Sequence, residues 1–280
     1  RMICESNLKQ TGLALLNFEN HYREFPIGAV SDGYGGFGTS WWVDVLPHFE
    51  QGVISERFDL KSSSSGWVAL NGRHGALVHN VVFPLMHCPS SPLEQLSTIG
   101  GFNVSTPSYV GISGASSHDG FNEDRVATCC IRNMTGEISA GGMLIPNRAV
   151  SAGAVADGLS KTFIVGEASS FAIDMKGKEQ RIDGGFLVGW LTGTTAAGTP
   201  PEYNPVFAPP SWNITTVRHP LNSRSYELPG VSYDRGPNNP LISAHPGVVV
   251  MLRADGSADA LAEDLDVSLL KQMATRDDGG

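Results

Sequence analysis

The residues best equipped for chemistry near the C-terminus are His245 and Asp255, a histidine and a carboxylate with nine residues between them. A carboxylate that orients an imidazole makes a general base, so the pair invites an enzyme reading. Spacing argues against it. If Val248 to Leu252 is a strand, the ten steps from His245 to Asp255, at about 3.3 Å each, set the two side chains roughly 30 Å apart at opposite ends. Each residue also has a local explanation. His245-Pro246-Gly247 is a restricted entry to the strand, and Asp255-Gly256 supplies the positive φ angles of a tight turn before the chain returns along Ser257 to Ala260. The structural reading is the expected one.

Asp157-Gly158-Leu159-Ser160-Lys161-Thr162 resembles a phosphate loop only superficially, because a Walker sequence needs Gly, Lys and Ser/Thr to be contiguous. It reads as a turn leading into a strand from Thr162 to Val165, with Glu167 beyond it bonding backbone amides or a neighbouring subunit. The pattern G-x-S-x-G of a nucleophile elbow does not occur, Gly111-Ile112-Ser113-Gly114 being the nearest approach. His74, His79, His87, His118 and His219 show no i, i+4 pairing suited to a transition metal. Trp41, Trp42, Trp67 and Trp190 suit a core. Tyr203, Phe207, Trp212 and Tyr226, in or beside a proline-rich stretch, are the aromatic residues best placed for a carbohydrate or protein ligand surface.

Cys4, Cys88, Cys129 and Cys130 form neither a C-x-x-C pair nor a zinc-finger spacing. In an oxidising compartment Cys4 with Cys88 is one pairing among several, and a direct bond between the adjacent Cys129 and Cys130 is expected to be strained.

These residues sit in a chain of 280 with 41% hydrophobic and 17% charged residues, enough to bury a substantial core. The 28 Asp and Glu exceed the 19 Lys and Arg, and the net charge of -9 with no basic run excludes nucleic acid as an expected partner. No apolar stretch approaches the roughly 20 residues of a membrane span. The sequence begins with Arg1. Either no spanning segment exists or one lies upstream.

Leu8, Thr11/Gly12, Leu15, Phe18 and Tyr22 recur at steps of three and four, which predicts a helix over residues 2 to 21 buried along that stripe. Pro26 ends any helical option. Ser40 is a candidate cap for a second helix over 41 to 51 that tolerates Pro47. Short apolar runs then predict strands at Val81–Met86, Tyr109–Ile112, Gly142–Ile145, Thr162–Val165, Gly185–Leu191 and Val248–Leu252, mostly antiparallel. Thr199 to Pro210 is a long proline-rich loop. Leu265, Val267, Leu269, Leu270 and Met273 predict a terminal helix, followed by a frayed tail from Asp277 to Gly280.

Three groups of motifs carry a family resemblance. The first is Cys4-Glu5-Ser6-Asn7-Leu8-Lys9-Gln10-Thr11-Gly12-Leu13-Ala14-Leu15, with Phe25-Pro26-Ile27-Gly28, Ser40-Trp41-Trp42-Val43 and Leu46-Pro47-His48-Phe49-Glu50-Gln51. The second is Cys88-Pro89-Ser90 with Asp157-Gly158 through to Gly166-Glu167, and the third is His245-Pro246-Gly247 followed by Asp255-Gly256-Ser257. Together they resemble the DUF1559 family of planctomycete-type bacteria, whose members begin with a prepilin signal and end in an H-x9-DG motif.

The resemblance implies an α+β, pilin-like fold in which the N-terminal helix packs on an antiparallel sheet. It implies a single domain over 1–280 with a β-rich insertion over 92–240. It also implies a non-enzymatic pseudopilin or pilin-like subunit or accessory of a type II secretion or type IV pilus-like assembly. Such a protein is extracytoplasmic, is tethered to the membrane only through a segment absent from this sequence, and meets other pilin-like subunits through its first helix. The alternatives are an extracytoplasmic solute- or glycan-binding module and, more distantly, a hydrolase. No cofactor is expected beyond calcium, which some pseudopilins hold in a C-terminal loop. Asp255, Ser257 and Asp259 offer alternating oxygens for it, and Asp119, Asn122 and Asp124 a second set, neither matching an EF-hand.

Overall fold

The computed structural model describes residues 1–33, 35–49, 52–130, 135–203 and 210–279. The first helix, α1 (Met2–Tyr22), forms as its spacing requires: Cys4, Asn7, Leu8, Thr11, Gly12, Ala14 and Leu15 make one buried stripe. It stops at Arg23, which takes the left-handed conformation with φ 65° and returns its N–H to the carbonyl of Glu19. The stripe runs out before the helix does. Phe18 is half-buried, whereas Tyr22 is exposed and packs on Phe18 with ring centroids 4.4 Å apart. The expectation that Tyr22 joins the core is therefore corrected. No helix among the described residues is long and apolar enough to cross a membrane.

The remaining helices are α2 (Trp41–Val45), α3 (Gly52–Ser55), α4 (Gly72–Val78) and α5 (Val267–Ala274). The strands are β1 (Leu96–Ile99), β2 (Phe102–Ser105), β3 (Tyr109–Ala115), β4 (Val126–Cys129), β5 (Gly136–Ser139), β6 (Phe163–Glu167), β7 (Ala172–Ile173), β8 (Glu179–Gln180), β9 (Ile214–Val217), β10 (Val248–Arg253) and β11 (Ala258–Ala262). A five-stranded sheet in the order β11-β10-β6-β3-β9 forms the centre, and β1-β2, β4-β5 and β7-β8 are small hairpins around it.

Side chains of β10 alternate between the two faces, as a two-residue period demands. Val250 and Leu252 join Leu8 and Leu15 of α1 and the paired indoles of Trp41 and Trp42 in one core. Val249 and Met251 join Phe163, Ile112 and Leu270 of α5 in a second. The sheet is thus covered by α1 on one face and α5 on the other, an α+β arrangement. Burying a side chain such as Leu8 or Leu15 contributes about 1.5–3 kcal/mol.

The pairing is mostly antiparallel, as expected, with one exception. The sheet is mixed, because β9 runs parallel to β3 while the other pairs are antiparallel. The chain reaches β9 by a long connection after β6, and a parallel neighbour requires such a crossover. Residues 92–240 supply β3, β6 and β9 of the central sheet. Three of the expected strands are corrected. Val81–Met86 is not a strand. It ends in a 3-10 turn at Pro84–Met86, and Pro84 has no N–H to give a ladder. Gly142–Ile145 runs beside β3, with Gly142 and Leu144 donating to Ser113 and Ile112, but forms no named strand. Gly185–Leu191 is a turn, made by Gly185 and Gly189 at φ 89° and 92°. The second helix changes to a 3-10 turn at Leu46–Phe49, around Pro47. Glu50, Gln51, Pro205, Phe207 and Pro209 lie outside the described residues.

The C-terminal tail is pinned through Gly279. Asp277 pairs with Arg125 at 2.8 Å, Asp278 with His118 at 3.0 Å, and the Asp157 carboxylate accepts the amides of Asp278 and Gly279.

Candidate functional site

Four side chains from different motifs meet beneath the first turn of α1. Cys4 stands in that turn, Cys88 follows the 3-10 turn at Pro84–Met86, Glu167 is the last residue of β6, and His245 precedes β10. Cys4 and Cys88 are joined as a disulfide with Cα atoms 5.1 Å apart. Nε2 of His245 lies 3.4 Å from Cys88 Sγ and 3.7 Å from Glu167 Oε1. All four residues are buried.

Each is held from behind. Asn7, one turn along α1, donates to the carbonyl of His87 at 2.8 Å and so ties the helix to the Cys88 segment. Tyr109 stands opposite Glu167 in the β3–β6 ladder, and its hydroxyl reaches the carbonyl of Cys4 at 3.5 Å. Burial, reinforced by the Glu167 charge, pushes the Tyr109 phenol well above its ordinary range, so it stays protonated. Beside Cys88, burial and then the Arg181 charge hold His87 down to about 4, leaving a neutral ring in contact with Ser105 Oγ at 2.8 Å.

Glu167 has no exposed surface and is satisfied on both oxygens. Ser169 donates to Oε1 at 2.6 Å, while Ser243 and the Val250 amide donate to Oε2 at 2.8 and 3.2 Å. The expectation that Glu167 takes a backbone amide is met by Val250. The sulfur and the carboxylate both face Nε2 of His245. A nucleophile–base–orienter chain instead uses the two ring nitrogens separately, so these contacts do not build a catalytic triad.

His245 and Asp255 lie at the two ends of β10 and do different work. Asp255 Oδ1 accepts from the amide and hydroxyl of Ser257 at 2.9 and 2.6 Å, closing the β10–β11 turn, with Gly256 at φ 85°. Asp259 points instead to Arg253, at 2.8 Å. The calcium candidates Asp255, Ser257 and Asp259 are therefore engaged within the hairpin. In the second set, Asn122 donates to Asp124 and accepts from Ser117. Asp157 serves the C-terminal tail, and Gly158, at φ 95°, makes the turn before β6.

The aromatic ligand surface is corrected for its described members, since Tyr203, Trp212 and Tyr226 are all buried. The Tyr203 hydroxyl sits between Thr194 and Ser211 at 2.7 and 2.8 Å. The Trp212 indole donates to Asp234 at 3.0 Å, and the Tyr226 hydroxyl accepts from the Tyr233 amide at 3.3 Å. Their polar tips are turned to internal partners, as buried Tyr and Trp require. Cys129 and Cys130 are bonded to each other, and Cys4 with Cys88 is the other pair. The meeting of Cys4 and Cys88 with Glu167 and His245 was missed in sequence, although each stands in one of the quoted motifs.

Neither a curated protein nor a solved structure matches this chain. The family model SBP_bac_10, described as a protein of unknown function (DUF1559), matches residues 1–268, from ahead of Cys4 to beyond Asp255. That match covers nearly the whole chain, and the protein belongs to the DUF1559 family.

Proposed function

We propose that this chain is the extracytoplasmic part of a pilin-like subunit, or an accessory, of a type II secretion or type IV pilus-like assembly, and that it acts by packing and not by catalysis. The observation that carries this reading is the two-sidedness of α1. One stripe is buried on the sheet, while Met2, Ile3 and Leu13 stand outward at 81%, 61% and 59% exposure. Met2 and Leu13 are eleven positions apart, or about 20° on a helix of 3.6 residues per turn, so they share a line along its outer face. Beside Leu13, a groove of about 370 Å³ is lined by Gln10, Phe49, Phe83, Pro84 and Leu85. A second copy of the same chain, laying its α1 along this line, would cover both.

The test is a photo-crosslinker placed at Leu13 in the protein carrying its native N-terminal extension, expressed in a host with the assembly machinery. Crosslinks between copies, lost when the crosslinker is moved to the exposed Met175 on the β7–β8 hairpin, are the expected result. Monomer alone from both positions sinks the reading. The solute-binding alternative loses its main support because Tyr203, Trp212 and Tyr226 are buried.

A further inference from the structure

We propose that, when the Cys4–Cys88 bond is opened by a dithiol reductant, Cys4, Cys88, Glu167 and His245 bind one divalent cation of the zinc type. Their ligand atoms, two sulfurs, an imidazole nitrogen and a carboxylate oxygen, lie within 4.8 Å of one another. Tetrahedral zinc, with bonds of about 2.0–2.3 Å, needs edges of about 3.3–3.8 Å between its ligands. The His245 nitrogen already stands 3.4 Å from Cys88 Sγ and 3.7 Å from Glu167 Oε1. The remaining ligand atoms need shift by no more than about 1.5 Å to reach those edges, and breaking the S–S bond frees the two sulfurs to separate. Thiolate and imidazole donors select zinc over calcium or magnesium.

The outer shell is in place. Ser169, Ser243 and the Val250 amide fix the Glu167 carboxylate, and Ser243 Oγ also accepts the His245 amide at 2.9 Å. Such partners orient ligands and raise metal affinity. His245, at 7% exposure, is where the cluster comes nearest to solvent and gives the ion its way in. The chemistry balances. The dithiol is oxidised to its own disulfide and hands two electrons and two protons to Cys4 and Cys88, and the cation then displaces both thiol protons into water. Disulfide and metal are mutually exclusive occupants of one pocket.

The test titrates Co²⁺ into the chain reduced with a phosphine, in Cys129→Ser/Cys130→Ser so that the second cysteine pair takes no part. One equivalent should bind, with the visible bands of a tetrahedral thiolate site and displacement by Zn²⁺, while the oxidised chain binds none. Cys88→Ser and His245→Ala should abolish those bands, Ser243→Ala should weaken binding by about 10–100-fold, and Asp255→Asn should leave it unchanged. A folded, reduced chain that binds no Co²⁺ overturns the proposal, as does binding that survives His245→Ala. If the reduced chain is unfolded, one equivalent of Zn²⁺ must restore its circular dichroism, and failure to do so also overturns it. None of these outcomes depends on whether the protein assembles.

Discussion

Gly12 of α1 and Gly256 of the β10–β11 turn stand backbone to backbone, so that a Cβ built on Gly12 would lie 2.8 Å from the Gly256 Cα. A Cβ on Gly256 would meet Leu16 Cδ1 at 2.9 Å, and its φ of 85° already disfavours any side chain. The glycine of the N-terminal motif and that of the Asp-Gly motif therefore form one packing device between helix and sheet. Gly12→Ala and Gly256→Ala should each destabilise by about 1–3 kcal/mol. Because both press on the packing of α1 against this turn, the double variant should depart from the sum of the two losses. Urea unfolding of the four proteins checks this, and strict additivity would contradict the contact.

The Cys4–Cys88 bond closes a loop with a sequence separation of 84, whereas Cys129–Cys130 joins neighbours. In the chain-entropy account the first stabilises by about 4–5 kcal/mol and the second by only about 1 kcal/mol. Cys4→Ala/Cys88→Ala should lower the urea midpoint strongly, and Cys129→Ala/Cys130→Ala should lower it far less. Equal shifts would count against this assignment of stability.

Asp44 and His87 should pull the pH dependence of stability in opposite directions. Burial pushes Asp44 from 3.8 up to about 7, so between those values the native state holds a proton that the unfolded chain has lost, and stability falls as pH rises. Burial and Arg181 lower His87 from 6.5 to about 4, so across that window the unfolded chain takes up a proton that the native state refuses. Stability there is lost as pH falls. Relative to wild type, Asp44→Asn should make the slope of unfolding free energy against pH more positive over about pH 4–7. His87→Gln should make it more negative over about pH 4–6.5. Urea midpoints across that range are the measurement, and unchanged slopes would refute both assignments.

Much of this architecture is legible in the sequence where a single period decides it. The stripe from Leu8 to Leu15 specifies α1, the run Val248 to Leu252 specifies β10, and Asp255-Gly256 announces its turn. Each is a local pattern read against one neighbour. Gly185–Leu191 misleads because its apolar residues suggest a strand while Gly185 and Gly189 at positive φ bend it. The parallel β3–β9 pair and the Cys4, Cys88, Glu167 and His245 cluster are not legible in this way. They depend on which distant segments the fold brings together, and neither periodicity nor spacing encodes that.

Glu167 should be needed for stability whatever else the pocket binds. Glu167→Ala leaves the Val250 amide and the hydroxyls of Ser169 and Ser243 without their acceptor in a buried site. The hydroxyls can rotate to other partners but the amide cannot, and each buried group left unsatisfied costs about 1–3 kcal/mol. Glu167→Gln keeps one acceptor oxygen and should cost less. Denaturant unfolding at neutral pH should rank wild type above Glu167→Gln and that above Glu167→Ala. Equal stability of all three would mean that the carboxylate is not what holds β6 to β10 here.

Leu13 and Leu15 separate folding from assembly within one helix. Leu15 is 1% exposed and packs into the core beneath α1, so Leu15→Ala should cost about 2–5 kcal/mol. Leu13 is 59% exposed, and Leu13→Lys should change stability by no more than about 0.5 kcal/mol. If α1 packs against a second copy along its outer line, the same lysine places a charge in an apolar contact and should abolish crosslinking between copies from a photo-crosslinker moved to Met2, on the same line, in the assembling host, while leaving urea unfolding unchanged. Crosslinking that persists in Leu13→Lys would show that the outer face of α1 is not the contact, even if the protein does assemble.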